Sequence, residues 1–374
     1  MRKSLIALGA VAILWSTSFP TAPAAPPVSP AVEALTQKGL VKKGNFWVLA
    51  DEAKTLDTIK ELPQTEKKCR DAQTQFGEIV VQGKAAREQY DKTRKEYEQI
   101  QTLLKEKTPP QQQNTLSQEN NKRVLLLQKL EPVIVDLTGP KNNPALTKAA
   151  AELSIARFEL ISVLSFLQDS IPTFETKYGA LHDDPDVAAA LKELGPGTRL
   201  GPARNYKKEP PKTAAAEKLA YSTTLPLYRE EQRIVFDVVL NEKLTFAVSD
   251  GRTNDFTLLP AKAIESAGQK IADDAQQITL NADSKAYKCR LVKLNSLRLG
   301  KYLLKDVEVV ALPDDAGSIS PTLGRKTLAD YELTSETADC KITIKSNADA
   351  AKDRASEKKA PAKPIGPPPA LPKA

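Results

Sequence analysis

The sequence has few of the residues that build metal sites, disulfide scaffolds or aromatic-rich cores. It contains three cysteines and one histidine among 374 residues, and aromatic residues make up 5% of it. Zinc ribbons, histidine-rich metal sites and dense disulfide frameworks need more of these residues, so they are excluded. We therefore predict no metal and no cofactor. The low aromatic content, with 27 prolines, also disfavours a single large enzyme core.

The first residues have the pattern of a secretory signal. Arg2 and Lys3 precede an apolar run over residues 5–15, and a stretch of small residues then ends at Ala24. The run is shorter than the roughly 18–20 apolar residues of a membrane-spanning helix, which disfavours an uncleaved membrane anchor. We expect residues 1–24 to be a cleavable signal peptide. The mature chain is then exported, has no transmembrane segment, and is periplasmic or extracellular.

The positive charge is concentrated in two segments. The formal net charge is +7. Residues 195–222 hold six basic residues against two acidic ones, and residues 347–374 hold six against three. Nucleic-acid binding needs a basic surface on a folded element, and neither segment has the pattern of one. We therefore predict no nucleic-acid partner.

Composition divides the rest of the chain into segments. Residues 25–50 combine a proline-rich start with a short β-turn module around Gly44, and residues 51–194 are charged and helix-prone. Residues 195–222 are rich in Gly, Pro and Lys, which predicts a basic linker. Residues 347–374 contain Ala, Lys and Pro repeats, which predict a disordered tail.

The helix-prone region has apolar residues at spacings of three, four and seven, as on one face of an amphipathic helix. Asn143 and Asp184 each precede a proline, and this pattern marks a helix start. We predict an extended antiparallel helical hairpin or coiled coil, with helices over about residues 51–107, 116–137, 144–178 and 185–194. Its apolar stripes are expected to form a core and a dimer seam.

The apolar pattern becomes strand-like after residue 223. Short β-prone runs separated by turns are found near residues 234–240, 244–248, 277–280, 287–294, 297–299, 306–311 and 341–344. A single short helix near residues 260–267 is closed by Gly268. Many short strands with one helix predict a small closed β domain over residues 223–346. The predicted fold class is thus α+β and multidomain, with the helical region first.

Three motifs in the β region follow one another at characteristic spacing. They are an apolar strand ending in Ser249-Asp250-Gly251-Arg252-Thr253, the piece Leu297-Arg298-Leu299-Gly300, and the piece Thr322-Leu323-Gly324. In order and spacing they resemble the retropepsin-like aspartic proteases, the single-domain relatives of the viral enzymes. The resemblance covers about a third of the chain. It implies a closed barrel of the acid-protease type, motif positions at Gly251, Thr253, Leu323 and Gly324, and a homodimer, since each copy supplies one catalytic Asp.

The sequence departs from this family at the catalytic position. Ser249 stands where the family has its catalytic Asp, and Asp250 takes the following Thr/Ser position. Peptide cleavage in this family needs two carboxylates roughly 3 Å apart that share one proton, and a serine hydroxyl cannot replace one. Asp250 points to the other side of an extended segment, so it would need a one-residue slip to act. Its simpler role is to accept hydrogen bonds from local amides.

Three functions follow from this pattern. The leading hypothesis is an exported protein whose retropepsin-like domain is non-catalytic and acts in peptide or protein binding or in envelope assembly. The first alternative is an active aspartic endopeptidase that works as a homodimer through Asp250. The second alternative is a structural spacer.

The cysteines allow a disulfide. Cys289 and Cys340 both fall on predicted strands, and export favours their oxidation. A disulfide between them is one alternative, and two free buried thiols are the other. Cys69 on the first helix could then cross-link a parallel dimer.

Overall fold

The computed structural model describes residues 29–106, 109–139, 143–282 and 284–352. The predicted signal peptide and the end of the predicted tail, from residue 353 on, lie outside the described residues. The described chain is mixed helix and sheet, with a large helical part before the β region. It divides into a smaller unit, formed by the chain up to Ala53 and by Glu175–Arg204, and a larger unit, formed by Lys54–Phe174 and the chain from Asn205 on.

Eight α-helices and fourteen strands have both ends within the described residues. The helices are α1 (Pro30–Gln37), α2 (Ala50–Lys105), α3 (Pro110–Leu130), α4 (Pro144–Ser170), α5 (Phe174–His182), α6 (Pro185–Glu193), α7 (Ala214–Ala220) and α8 (Ala261–Ser266). The strands are β1 (Leu40–Lys43), β2 (Phe46–Leu49), β3 (Arg199–Leu200), β4 (Thr224–Pro226), β5 (Tyr228–Glu230), β6 (Arg233–Leu240), β7 (Leu244–Gly251), β8 (Thr257–Pro260), β9 (Gln277–Ala282), β10 (Lys285–Leu299), β11 (Tyr302–Leu312), β12 (Thr322–Gly324), β13 (Tyr331–Glu336) and β14 (Lys341–Ser346).

The smaller unit is built on the hairpin of β1 and β2. Gly44 adopts a left-handed backbone with φ of +62°, which a tight two-residue turn requires. β3 pairs with β2 in parallel, and the core beneath contains Leu35, Trp47 and Val187. A β-turn module was expected within residues 25–50, and the hairpin of β1 and β2 lies in that range.

A buried carboxylate ties this unit together. Glu52 is fully buried and accepts hydrogen bonds from the Tyr178 hydroxyl and, at 2.9 Å, from the backbone N–H of Ala203. The same tyrosine oxygen accepts the N–H of Leu49 at 2.8 Å. Glu52 and Tyr178 therefore satisfy each other in this core, as buried polar groups require, whereas the buried Trp47 Nε1 has no hydrogen-bond partner.

In the larger unit, α2 buries one face between Leu62 and Thr93. Leu62, Cys69, Phe76 and Val80 are buried in the core that also contains much of α4. Their spacing of seven, seven and four residues keeps them on one side of the helix, which explains why the apolar stripe predicted it. α2 runs through Pro63 without interruption.

Helices α2 and α3 run antiparallel where their polar side chains meet. The Gln101 side-chain amide donates to Asn120 at 2.8 Å, and Arg123 pairs with Glu96 at 2.8 Å. α3 has no buried residue along its 21 residues. The hairpin geometry expected for the helical region is therefore present for this pair, although α3 contributes little to the core.

The main sheet of the larger unit has eight strands in the order β5-β6-β7-β12-β8-β11-β10-β9. Most neighbours are antiparallel, but β12 pairs in parallel with β7, and β8 in parallel with β11. β10 also pairs with β6 through two residue pairs, Leu297 with Leu240 and Arg298 with Val239. Because this link is so short, the sheet is not clearly the closed barrel that we predicted.

Several predicted boundaries need correction. α3 ends at Leu130, before Pro132, because a proline removes a backbone donor and crowds the preceding turn. The third predicted helix stops at Ser170 and continues, after a short 3-10 turn, as α5. The predicted linker contains β3 and α7, whose Ala216 and Ala220 are buried. Their short apolar parts are obscured in the sequence by the basic residues around them.

The first residues of the predicted tail are folded. Residues 347–352 are helical, and the Asp349 carboxylate accepts hydrogen bonds from Lys301 Nζ at 3.1 Å and from the Tyr302 hydroxyl at 2.9 Å. These donors lower the pKa of Asp349 to about 2. The predicted disordered tail was therefore started too early.

Candidate functional site

The predicted site residues meet where β7 and β12 run side by side. β7 ends in Ser249, Asp250 and Gly251, and these pair in parallel with Thr322, Leu323 and Gly324 of β12. Two motifs more than 70 residues apart in sequence are thus brought into direct register. Thr253 is not part of this pairing, because it lies in the exposed turn that follows β7.

Ser249 is held by a single carbonyl. Both its backbone N–H and its hydroxyl donate to the Pro321 oxygen, each at 3.1 Å. The hydroxyl hydrogen is therefore engaged in the local structure, and the side chain is only partly exposed. The acceptor of this hydroxyl is a backbone carbonyl and not a side-chain base, so no described residue activates the Ser249 oxygen as a nucleophile.

The Asp250 carboxylate is enclosed by the side chain two residues further on. Arg252 Nε lies 3.1 Å from Oδ1 and 3.0 Å from Oδ2, and Nη2 lies 2.6 Å from Oδ2. The backbone N–H of Arg252 adds a bond to Oδ1 at 3.2 Å. Both carboxylate oxygens thus accept charge-assisted hydrogen bonds from one neighbour. This is the local turn role that the sequence suggested for Asp250, with a guanidinium added.

Two glycines allow the backbones to approach at this site. A Cβ on Gly251 would lie 2.4 Å from Thr322 Cβ, and one on Gly324 would lie 2.1 Å from the carbonyl carbon of Phe256. Gly324 also donates its N–H to the buried Thr257 hydroxyl at 3.0 Å. The motif positions Gly251 and Gly324 therefore have a steric reason for being glycine.

The loop after Asp250 is fastened to the chain after Gly324. The N–H of Arg325 donates to the Asn254 oxygen at 2.7 Å, and the N–H of Lys326 donates to the Asp255 oxygen at 3.0 Å. The Arg325 guanidinium also donates to the Asp255 carboxylate. These contacts hold residues 252–256 in place and so fix the orientation of Arg252 toward Asp250.

The cysteines are not paired. Cys69, Cys289 and Cys340 are all free and buried. Cys289 and Cys340 belong to different hydrophobic clusters, so the disulfide that we considered is not formed. Cys69 is 1% exposed, which also removes it as a cross-link between two copies. Two strand cysteines were a reasonable pair on sequence, but strand membership does not set the distance between thiols.

The site has no metal-binding character in the part of the chain that the structure describes. There, no group of three or more His, Cys, Asp or Glu residues is placed to hold a metal ion. Likewise, no helix within the described ranges is long and apolar enough to cross a membrane.

Comparisons with known proteins find a weak structural likeness. No protein-family model and no curated protein sequence matches this chain. Among solved structures, a retropepsin-like aspartic protease from Rickettsia conorii is similar to 32% of this chain and is itself covered over 89% of its length, with 15% identity and a TM-score of 0.26. A TM-score of 0.26 is too low to support a conclusion about activity.

Two features of the larger unit were not predicted from the sequence. Arg252 was identified only as part of a motif, although its guanidinium forms an ion pair with the Asp250 carboxylate. Asp237 lies on β6 between Phe236 and Val238, and a carboxylate inside an apolar strand was the available signal of a buried polar contact. Its partner Ser154 is 83 residues away in sequence, so the contact itself had no sequence signature.

Proposed function

We propose that this chain is an exported protein whose β region, residues 223–346, binds an extended peptide or protein segment without cleaving it. The observation that carries the proposal is the state of the two residues at the catalytic position. Ser249 offers a hydroxyl bonded to Pro321, and Asp250 offers a carboxylate bonded to Arg252. Neither can supply the base and the acid that hydrolysis of a peptide by two aspartates needs.

Pairing of two copies would not restore the dyad. A homodimer, which we also propose, would place Ser249 beside its own symmetry mate. To use Asp250 instead, each copy would have to break the guanidinium contacts at 2.6–3.1 Å and turn the carboxylate to the other side of β7. This ion pair is at the surface, where such a pair contributes about 0.2–1 kcal/mol, so the turn of the carboxylate to the other side of β7 is the larger obstacle to catalysis.

A free sheet edge supports the binding half of the proposal. β9 is the terminal strand of the eight-stranded sheet in the described residues, and its side chains alternate between exposed and half-buried. The outer edge of such a strand presents backbone donors and acceptors that an extended segment can pair with. The backbone pairing gives affinity with little demand on the sequence of the partner.

The first test is peptide cleavage by the mature protein between pH 3 and pH 7. We expect no cleavage by the wild type or by Asp250→Asn, and cleavage by Ser249→Asp if the scaffold lacks only its carboxylate. Arg252→Ala is a matched variant, because it frees Asp250 without adding a carboxylate. Cleavage by the wild type that Asp250→Asn abolishes would establish the endopeptidase alternative and overturn the proposal.

Export has its own test. We expect the protein recovered outside the cytoplasm to begin at Ala25, which N-terminal sequencing or intact mass would read directly. A chain that keeps Met1 and stays in the cytoplasm would contradict export without affecting the proposal for the β region.

A spacer function is a second candidate. α2 has 56 residues, which corresponds to roughly 84 Å at 1.5 Å per residue. A helix of this length can separate two attachment points in a cell envelope. An Arg252→Ala or Ser249→Asp variant would leave this function unchanged.

A further inference from the structure

A small cavity with a mostly apolar wall lies in the larger unit, between α4 and the sheet. Its volume is about 30 Å³, which is room for about two waters or one small ion. Five polar or charged residues line it, namely Ser154, Arg157, Asp237, Thr245 and Arg298. None of them belongs to the β7–β12 site described above.

Three side-chain atoms around the cavity have no hydrogen-bond partner. They are Arg157 Nε, Arg298 Nε and Thr245 Oγ1. Five buried side-chain atoms in the described residues share this property, and three of the five belong to residues that line this one cavity. Both arginines are 8% exposed. An unsatisfied buried donor costs about 1–3 kcal/mol, and more on a charged group, so a cluster of three points to a bound species that accepts hydrogen bonds.

The carboxylate of the cavity does not satisfy these donors. Asp237 Oδ1 accepts from the Tyr228 hydroxyl at 2.9 Å, and Oδ2 accepts from the Ser154 hydroxyl. Burial raises the pKa of Asp237 despite these two bonds and the nearby Arg157 charge. Asp237 is therefore a weak counter-ion for the guanidinium beside it.

The two arginines differ in how their charge is balanced. Arg298 donates through Nη2 to Glu242 and lies 5.0 Å over the Tyr221 ring. Arg157 has Asp237 as its nearby carboxylate, and burial lowers the pKa of Arg157. Water in the cavity would accept hydrogen bonds but would leave this charge uncompensated in a poorly solvated place. An anion accepts the same hydrogen bonds and also balances the charge.

We infer that this cavity binds one small monovalent inorganic anion, of the size of chloride or bromide, through Arg157 Nε, Arg298 Nε and the Thr245 hydroxyl. Because Arg157 is on α4, Thr245 on β7 and Arg298 on β10, the anion joins the helix to two strands of the sheet. Binding therefore stabilises the folded larger unit, whether or not the β region binds a peptide.

The test uses the full chain after dialysis into sodium gluconate, whose organic anion is too large for the cavity. Bromide then replaces gluconate at constant sodium concentration while the unfolding temperature Tm is followed. Above the dissociation constant, we expect Tm to rise by roughly 3 °C for each tenfold increase in bromide. Crystals grown with bromide should show an anomalous peak inside the cavity.

Variants separate this site from general salt effects. Arg157→Met should abolish the bromide dependence of Tm, and Thr245→Val, which keeps both charges, should weaken bromide binding several-fold. Arg229→Lys is the matched control. Arg229 is equally buried but already donates to the Glu231 oxygen and to Gln232, so its replacement should leave the bromide dependence intact.

Two results would overturn the inference. One is a wild-type Tm that responds equally to bromide and gluconate. The other is a bromide-grown crystal with water density and no anomalous signal in the cavity. Both measurements are made on the wild type, so they remain decisive even where Arg157→Met does not fold.

Discussion

Asp237 is a carboxylate in an otherwise apolar strand, and its surroundings determine how it responds to pH. On α4 it faces Arg157 and the Ser154 hydroxyl, and on β5 it faces Tyr228 and the charge of Glu230. Burial is the largest influence and raises the pKa of Asp237 above its ordinary value of 3.8. The folded protein therefore holds a proton on this group more tightly than the unfolded chain does.

This raised pKa gives a pH dependence of known sign. The contribution of Asp237 to the free energy of unfolding is complete below pH 3.8 and is lost as the pH rises through the pKa of the folded state. Relative to Asp237→Asn, the wild type should lose about 1.4 kcal/mol of stability per pH unit within that window. Urea denaturation of both proteins from pH 4 to pH 7, in gluconate buffer, measures the difference. A difference that grows more favourable to the wild type as pH rises would contradict the assignment.

Gly324 is the second residue whose role can be tested alone. A Cβ at this position would lie 2.1 Å from the carbonyl carbon of Phe256 and 2.5 Å from the N of Thr257. Both are backbone atoms, which cannot relieve the clash by changing rotamer as a side chain can. Gly324→Ala should therefore cost about 3 kcal/mol of stability. Gly317→Ala is the control, since nothing lies within 4 Å of its Cβ. Equal denaturation midpoints for the two variants would show that the β8–β12 contact is looser than described.

At the scale of elements, α2 offers a matched pair of glycines. The Cβ of an alanine at Gly77 would contact nothing within 4 Å, whereas at Gly83 it would lie 2.2 Å from Val135 Cγ2 and 2.6 Å from its Cβ. Both substitutions improve helix propensity by up to about 1 kcal/mol. The two substitutions should therefore differ in their effect on stability, because only the alanine at position 83 would collide with Val135.

We expect Gly77→Ala to stabilise the protein by about 0.5–1 kcal/mol and Gly83→Ala to destabilise it by about 1–3 kcal/mol. Thermal or urea unfolding of the two variants gives the comparison within one helix. If both variants were stabilised, the segment around Val135 would have to move away from α2 easily.

The sequence predicts an element well when the residues that define it are neighbours in the chain, and poorly when they are far apart. Asn143 and Asp184 accept hydrogen bonds from the first turns of α4 and α6, so these helix starts were predicted to the residue. β13 was missed as a strand although it pairs with the next strand, β14, whereas β8 and β12 were missed because their pairing partners are distant in sequence. The same holds for the contact of Ser154 with Asp237. The place of Ser249 and Asp250 was predicted, but the guanidinium that engages Asp250 was not.

At the scale of the whole molecule, exposed apolar side chains are concentrated on the helices. Of six large apolar residues that are exposed in the described chain, Val81, Leu103, Leu125 and Ile155 lie on α2, α3 or α4, whereas Leu303 lies on β11. Leu125 is 59% exposed, and α3 buries none of its residues. The proposed homodimer would have its seam on these helices.

The proposed dimer seam can be tested by introducing a charged residue into it. We expect the wild type to sediment as a dimer and Leu125→Glu to shift toward monomer, because a buried unpaired carboxylate weakens an apolar contact. Leu303→Glu, on the sheet and 38% exposed, should sediment as the wild type does. A wild type that stays monomeric at high micromolar concentration would remove the dimer, and with it any shared site between two copies.

The three free thiols can report how often different parts of the protein open. Cys69 on α2, Cys289 on β10 and Cys340 before β14 are each at most 1% exposed, and burial raises the pKa of Cys340 to about 12. An alkylating reagent can therefore reach each sulfur only while the structure around it is open. Mass spectrometry of the three labelled peptides over time would then rank the helical region, the long strand β10 and the separate sheet of β13, β14 and β4 by how often each one opens.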